Sequence, residues 1–176
     1  MKAAFALLLL TSVAFAQNTS TAAAVAPGCG PANVHFDVRT DKHQHPIVQP
    51  EAGKAVVYFV QDDREFLSHP RPTTGFGIDG EWVGATQSNS YFYTPLSPGE
   101  HHLCASWQSF VAIGATEKMG AAHFTAEPGR TYFFQVRNFW TKESGLPARM
   151  ELLPLDSDEG QLLASKFSFS ISQPKK

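Results

Sequence analysis

The chain has 176 residues, 14 basic against 16 acidic, and a formal net charge of -2. It carries no basic run or stripe to neutralise phosphates, which excludes nucleic acid as a partner. Hydrophobic residues make up 43% and aromatics 12%, with 14 Phe, so one domain can bury enough apolar surface to offset its ordering entropy, which excludes global disorder.

Residues 1–16 read as a secretory signal peptide: Lys2 precedes an apolar stretch that ends in the small-residue pattern Ala14-Phe15-Ala16, with cleavage expected after Ala16. The stretch is shorter than the ~20 residues a spanning helix needs, so no stable membrane span is expected after cleavage. Cys29 stands too far downstream, behind Pro27 and Gly28, to receive a lipid anchor. The expected location is therefore periplasmic or secreted. Residues 17–31, rich in Ala, Thr, Ser, Gly and Pro, read as a flexible lead-in, residues 32–172 as the folded domain and residues 173–176 as a frayed tail.

Within the domain, short apolar or alternating segments bounded by Gly, Pro, Asp or Asn predict strands over 34–38, 54–60, 75–78, 82–85, 91–96, 102–107, 121–125, 131–137 and 149–155. About eight or nine strands in one domain imply a mainly β, antiparallel sandwich. Three strands are introduced by nearly the same phrase: Glu51-Ala52-Gly53-Lys54, Ser97-Pro98-Gly99-Glu100 and Glu127-Pro128-Gly129-Arg130. Pro presets φ and Gly supplies the positive φ of a type II turn, so this repetition is turn chemistry. Asp79-Gly80 between two apolar runs predicts a hairpin. One short helix is expected from Asp156 to about Ser165, with Asp156 as cap and Glu159 completing a capping box. Gly160 weakens it, while Leu162 and Leu163 give it an apolar edge.

Two cysteines in an oxidising compartment most simply form one disulfide, Cys29 to Cys104; the alternative is two unpaired thiols. Histidine pairs at His43 and His45 and at His101 and His102 offer imidazoles for a metal, but their spacing completes no recognisable ligand set, so the expectation is solvated histidines with no bound metal and no cofactor. The run from Asp156 to Gly160 departs from a calcium loop in the position of its Gly and is better explained by helix capping. No G-x-S-x-G elbow supports a serine hydrolase.

Strand alternation puts Tyr132, Phe134 and Val136 on one face, and likewise Leu103, Ala105 and Trp107, as core. It leaves Tyr91, Tyr93 and Phe133 on opposite faces, with Phe139 and Trp140 in a loop; of these, Tyr91, Tyr93, Phe133 and Trp140 are singled out. These four are the candidate binding surface, unless the helix from Asp156 lies across the same sheet and covers them.

The segments Ile78-Asp79-Gly80-Glu81-Trp82-Val83-Gly84, Ser90-Tyr91-Phe92 and Pro98-Gly99-Glu100-His101-His102-Leu103-Cys104 carry a resemblance. Cys29-Gly30-Pro31, the run from Gly53 to Tyr58, the run from Gly129 to Phe133 and that from Asp156 to Gln161 extend it over most of the domain. The chain resembles the exported bacterial family of domain of unknown function 2846 (DUF2846), and more weakly it is similar to PEGA-type surface β modules. The resemblance implies a predominantly β envelope domain and supplies no activity, ligand or catalytic residue. The resulting expectation is a non-enzymatic binding or structural module of the cell envelope whose partner is an envelope protein or glycan. A histidine-based metal-handling periplasmic protein is the alternative, and a small envelope hydrolase the third reading.

Overall fold

The computed structural model describes residues 28–108, 118–141 and 147–176. The expected signal peptide and most of the expected lead-in lie outside the described residues. The described residues form ten strands and one helix: β1 (Phe36–Asp41), β2 (Ala55–Asp62), β3 (Thr73–Ile78), β4 (Glu81–Gln87), β5 (Ser90–Leu96), β6 (Gly99–Trp107), β7 (Met119–Ala126), β8 (Thr131–Phe139), β9 (Arg149–Leu155), α1 (Ser157–Lys166) and β10 (Ser168–Pro174). They build a two-sheet sandwich. One sheet has six strands in the order β1-β10-β5-β2-β8-β9, and the other four in the order β4-β3-β6-β7.

Two of the three turn phrases behave as expected, while Gly99 takes φ 138° as the first residue of β6 rather than the value of a type II turn. Gly53 and Gly129 both sit at φ 75°, with Lys54 N–H donating to Glu51 O at 3.0 Å and Arg130 N–H to Glu127 O at 3.3 Å. These two turns lie side by side: Gly129 N–H donates to Lys54 O at 2.7 Å and Val56 N–H to Arg130 O at 3.0 Å. They launch β2 and β8 as a parallel pair, Val56 opposite Thr131 through Asp62 opposite Arg137. Asp79 and Gly80 take φ 52° and 90° in the β3–β4 hairpin, the positive values a primed turn requires.

All eight residues of β2 are buried, because both of its faces are covered. Val57 and Phe59 join Phe76, Phe92, Leu103, Trp107 and Phe134 between the sheets. Val56, Tyr58 and Val60 point the other way and pack with Tyr91, Phe133, Leu163, Ala164 and Phe167 beneath α1. The sandwich thus has two apolar layers, one between the sheets and one under the helix.

Asp156 caps α1, its carboxylate accepting from the N–H groups of Asp158 at 2.8 Å and Glu159 at 3.2 Å. Leu163 is buried, but Leu162 stays 50% exposed, so the expected apolar edge is narrower than two leucines. Gly160 owes its place to packing rather than to a weak helix: a Cβ there would come within 2.5 Å of Phe133 Cδ1 and 2.7 Å of Phe133 Cβ. In an open helix Gly160→Ala would add about 1 kcal/mol of stability. Here the overpacking cost of about 1–3 kcal/mol should win, and we expect a lower urea midpoint at unchanged slope. A higher midpoint would show that α1 does not rest on Phe133.

The end of the chain departs from expectation. Gln173 and Pro174 belong to β10, not to a frayed tail, because β10 pairs antiparallel with β1 from Phe36 opposite Pro174 to Asp41 opposite Phe169. Its first residues also pair parallel with β5. Serines on its other face tie the two sheets together: Ser170 Oγ donates to Ala85 O at 3.1 Å, and Ala85 N–H donates to Ser172 Oγ at 3.0 Å. The last residues of the expected lead-in are likewise fixed, since Cys29 is disulfide-bonded to Cys104 and Trp82 Nε1 donates to Pro31 O at 2.8 Å.

Candidate binding site at the ends of the central strands

The four aromatic candidates do not form one surface. Tyr91 and Phe133 are 0% and 4% exposed, and with Tyr58 they form a ring stack under α1, with Tyr58 and Phe133 centroids 4.8 Å apart. Tyr93 is half-buried, 5.4 Å from the Tyr58 ring and 5.9 Å from Phe169. The cause is the cover the helix provides, together with the segment around residue 47: Tyr91 Oη donates to Pro46 O at 3.2 Å and Val48 N–H donates to Tyr58 Oη at 2.8 Å. Burial pushes both the Tyr58 and Tyr91 phenols up. Tyr91 and Phe133 are therefore core residues. Trp140 is half-buried and lies elsewhere, just beyond β8.

The histidine pairs are not brought together either. His43 is exposed, and His45 Nδ1 lies 3.3 Å from Ala164 O. His101 is 9% exposed, with Nδ1 2.6 Å from Asp79 Oδ2 and Nε2 2.8 Å from Ser97 O. His102 faces His123 across β6 and β7 at 6.3 Å between ring centroids, and its N–H donates to Asp79 Oδ1. Burial pushes the Asp79 carboxyl up, but the His102 N–H and the His101 ring outweigh it and hold Asp79 below the usual carboxylate range. His101 thus clamps the β3–β4 turn to β6, and both of its nitrogens are taken. Among the described residues no group of three or more His, Cys, Asp and Glu is placed to hold a metal ion.

The chemistry that stands out is at the C-terminal ends of the parallel pair β2 and β8. There the apolar run of β2 turns polar at Gln61, Asp62 and Asp63, all at most 5% exposed. Asp63 accepts from Asn138 Nδ2 at 2.7 Å and from Gln61 Nε2 at 2.8 Å. Asn138 in turn accepts from Trp107 Nε1 at 2.8 Å, and Gln61 from Thr86 Oγ1 at 2.6 Å. Burial pushes the Asp63 carboxyl up to about 6 against the downward pull of Asn138, Gln61 and Arg71. A carboxyl raised in this way can mark a catalytic acid. Asp63, however, is sealed at 0% exposure with both oxygens engaged, so it organises the strand ends instead. For Asp62 burial again pushes up, but the two-pronged contact with Arg64 and the charge of Arg137 hold it below the usual range.

On the outer side of this polar knot lies a cavity of about 380 Å³ lined by Arg64, Leu67, Phe139, Trp140, Pro147 and Arg149, among others. Trp140 is set by main-chain bonds, its N–H donating to Glu65 O at 3.1 Å and its carbonyl accepting from Leu67 N–H at 2.9 Å. Phe139 is held between two guanidinium groups, Arg149 at 4.4 Å and Arg137 at 4.9 Å from its centroid. Arg137 is paired with Glu65 and Arg149 with Glu151 at 3.3 Å. Leu67 projects at the rim, 65% exposed. The result is a pocket with an aromatic floor and charged walls, able to stack a planar or sugar-like group while donating hydrogen bonds from arginine. Of the four aromatic candidates only Trp140 lines it; its neighbour Phe139, expected in the same loop, is instead the last residue of β8, and Arg64 and Arg149 carried no signal beyond their residue types.

A model of the family described as protein of unknown function (DUF2846) matches residues 51–145, over half of the chain and including Arg64, Leu67, Phe139 and Trp140 but not Arg149. The match does not extend to the PEGA-type likeness. No curated protein and no solved structure matches the chain.

Proposed function

The chain belongs to the DUF2846 family, and from that premise we propose that it is a non-enzymatic, exported β-sandwich that binds an envelope protein or glycan through the pocket at Trp140. The observation that carries this reading is the pocket itself, lined by the rings of Phe139 and Trp140, by Arg64, Arg149 and Glu65, and by an exposed Leu67. Aromatic and arginine side chains are the types that dominate binding energy at recognition surfaces. Export is supported by the N-terminal pattern Lys2 to Ala16 and by the Cys29–Cys104 bond, a cross-link that persists in oxidising compartments. The binding reading is favoured over a hydrolase because Asp63, the one buried carboxyl with a raised pKa among the described residues, is enclosed and satisfied.

Two measurements test it. A photo-cross-linker placed at Leu67 should capture a discrete envelope protein in living cells, or the purified mature protein should co-sediment with isolated peptidoglycan. In either case Trp140→Ala and Arg149→Ala should weaken the interaction by about 10-fold or more, the cost of losing an anchoring side chain. If neither probe detects binding, or the two variants bind like the wild type, the reading fails.

A further inference from the structure

A second cleft, with a lining distinct from that of the Trp140 pocket, carries charge of one sign. It has a volume of about 630 Å³, and its lining includes Lys42, His45, Arg71, Ser88, Asn89 and Lys166 but no acidic residue. Its floor is the β4–β5 turn, where Ser88 adopts φ 61°, and Asn89 O accepts from Ser168 N–H at 3.2 Å at the start of β10. Lys42 enters from the segment after β1 and Lys166 from the last turn of α1. Among the described residues none of Lys42, Arg71 and Lys166 has a carboxylate within ion-pair distance; the ion pairs among these residues engage other cations.

Arg71 decides what this cleft is for. Its Nε is buried and has no hydrogen-bond partner, which is costly for a donor on a charged group. The charge of Arg71 acts on the Asp63 carboxyl, but both oxygens of Asp63 are already bonded to Asn138 and Gln61. An unpaired guanidinium donor in a cleft also lined by two lysines is a donor set that an oxyanion would complete. A doubly charged tetrahedral group can meet a guanidinium and two lysines at once, whereas a single carboxylate carries too little charge to match all three.

We propose that the cleft bounded by Lys42, Arg71 and Lys166 is a binding site for a phosphoryl group, separate from the pocket at Trp140. Arg71 supplies the directional donor and the lysines supply charge. The phosphoryl group can be carried by a soluble phosphate or by an anionic phospholipid headgroup.

The test uses mature, disulfide-bonded protein at low ionic strength, where exposed charges are least screened. Inorganic phosphate is titrated by calorimetry, and flotation is measured with phosphatidylglycerol vesicles against phosphatidylcholine vesicles. Saturable phosphate binding that Arg71→Gln weakens by about 10-fold or more supports the site and a soluble ligand. Flotation with phosphatidylglycerol alone, lost in the same variant, supports the site and a lipid headgroup. Because Arg71 sits near buried Asp63 and its replacement could unfold the domain, the Lys42→Gln, Lys166→Gln double variant is measured in parallel, with Lys175→Gln as a control outside the cleft. No binding of either probe by the wild type, or undiminished binding by the folded double variant, overturns the proposal.

Discussion

Opening the Cys29–Cys104 disulfide is expected to lower the stability of the domain by about 3–4.5 kcal/mol, the value for a closed loop of this size on the chain-entropy model. The two residues are 75 positions apart in sequence with Cα atoms 4.9 Å apart. In the unfolded chain the bond restricts everything from β1 into β6. In the folded chain it holds the segment from Gly28 to Pro31 over β3, β4 and β6, where it fits without room to spare: a Cβ on Gly28 would lie 2.7 Å from Leu103 C, and one on Gly77 would lie 2.5 Å from Gly28 O. Cys104 is buried, so the paired Cys29→Ser, Cys104→Ser variant also places a hydroxyl in an apolar setting. Chemical reduction avoids that complication. Urea denaturation with and without reductant is the measurement, and a difference under about 1 kcal/mol would mean that the unfolded state is already restricted by other means.

This bond was readable in the sequence because two cysteines offer a single intramolecular pairing. The turns were readable for a similar reason: at Gly53, Gly129 and Asp79-Gly80 the required positive φ leaves little choice of residue. Strand β10 was not recognised, although Phe167, Phe169 and Ile171 alternate with Ser168, Ser170 and Ser172. A serine-rich run after a helix resembles a tail until its partners are known. Those partners, β1 and β5, lie far away in sequence, and Ser170 and Ser172 are bonded to the backbone of β4. The parallel pairing of β2 with β8 was hidden in the same way, in the likeness of the two turn phrases that start them.

The candidate sites were less legible than the fold, for a physical reason. Lys42, Arg71 and Lys166 come from three distant segments, and a chain with no basic run still gathers them around one cleft. Arg64, Phe139 and Arg149 converge on the other pocket in the same manner. The aromatic alternation along β5 and β8 was read correctly as two faces. Which face met solvent depended on where α1 docked, and that rests on the missing side chain of Gly160 against Phe133.

Raising the pH from about 4 to about 7 is expected to cost the domain about 2 kcal/mol of stability through Asp63 alone. Its folded-state pKa is about 6 against an ordinary value of 3.8, because 0% exposure penalises the carboxylate more than Asn138 and Gln61 favour it. Between those two values the folded chain binds a proton that the unfolded chain has released. The contribution is therefore fully present below about pH 4 and is lost as pH rises through about 6, at about 1.4 kcal/mol for each pH unit of displacement. Asp62 and Asp79, both held below the usual carboxylate range, act in the opposite sense, but their contributions are lost only as pH falls through lower values. An Asp63→Asn variant isolates the effect, since its amide stays neutral throughout. That amide also sets a donor against Gln61 Nε2 or Asn138 Nδ2, so the variant should be less stable than wild type at pH 4 by about 1–3 kcal/mol. The gap should then close, and can reverse, by pH 7. Urea midpoints of the two proteins across this range give the answer: a gap that stays constant would show that Asp63 does not change its protonation on folding, and the raised pKa would have to be abandoned.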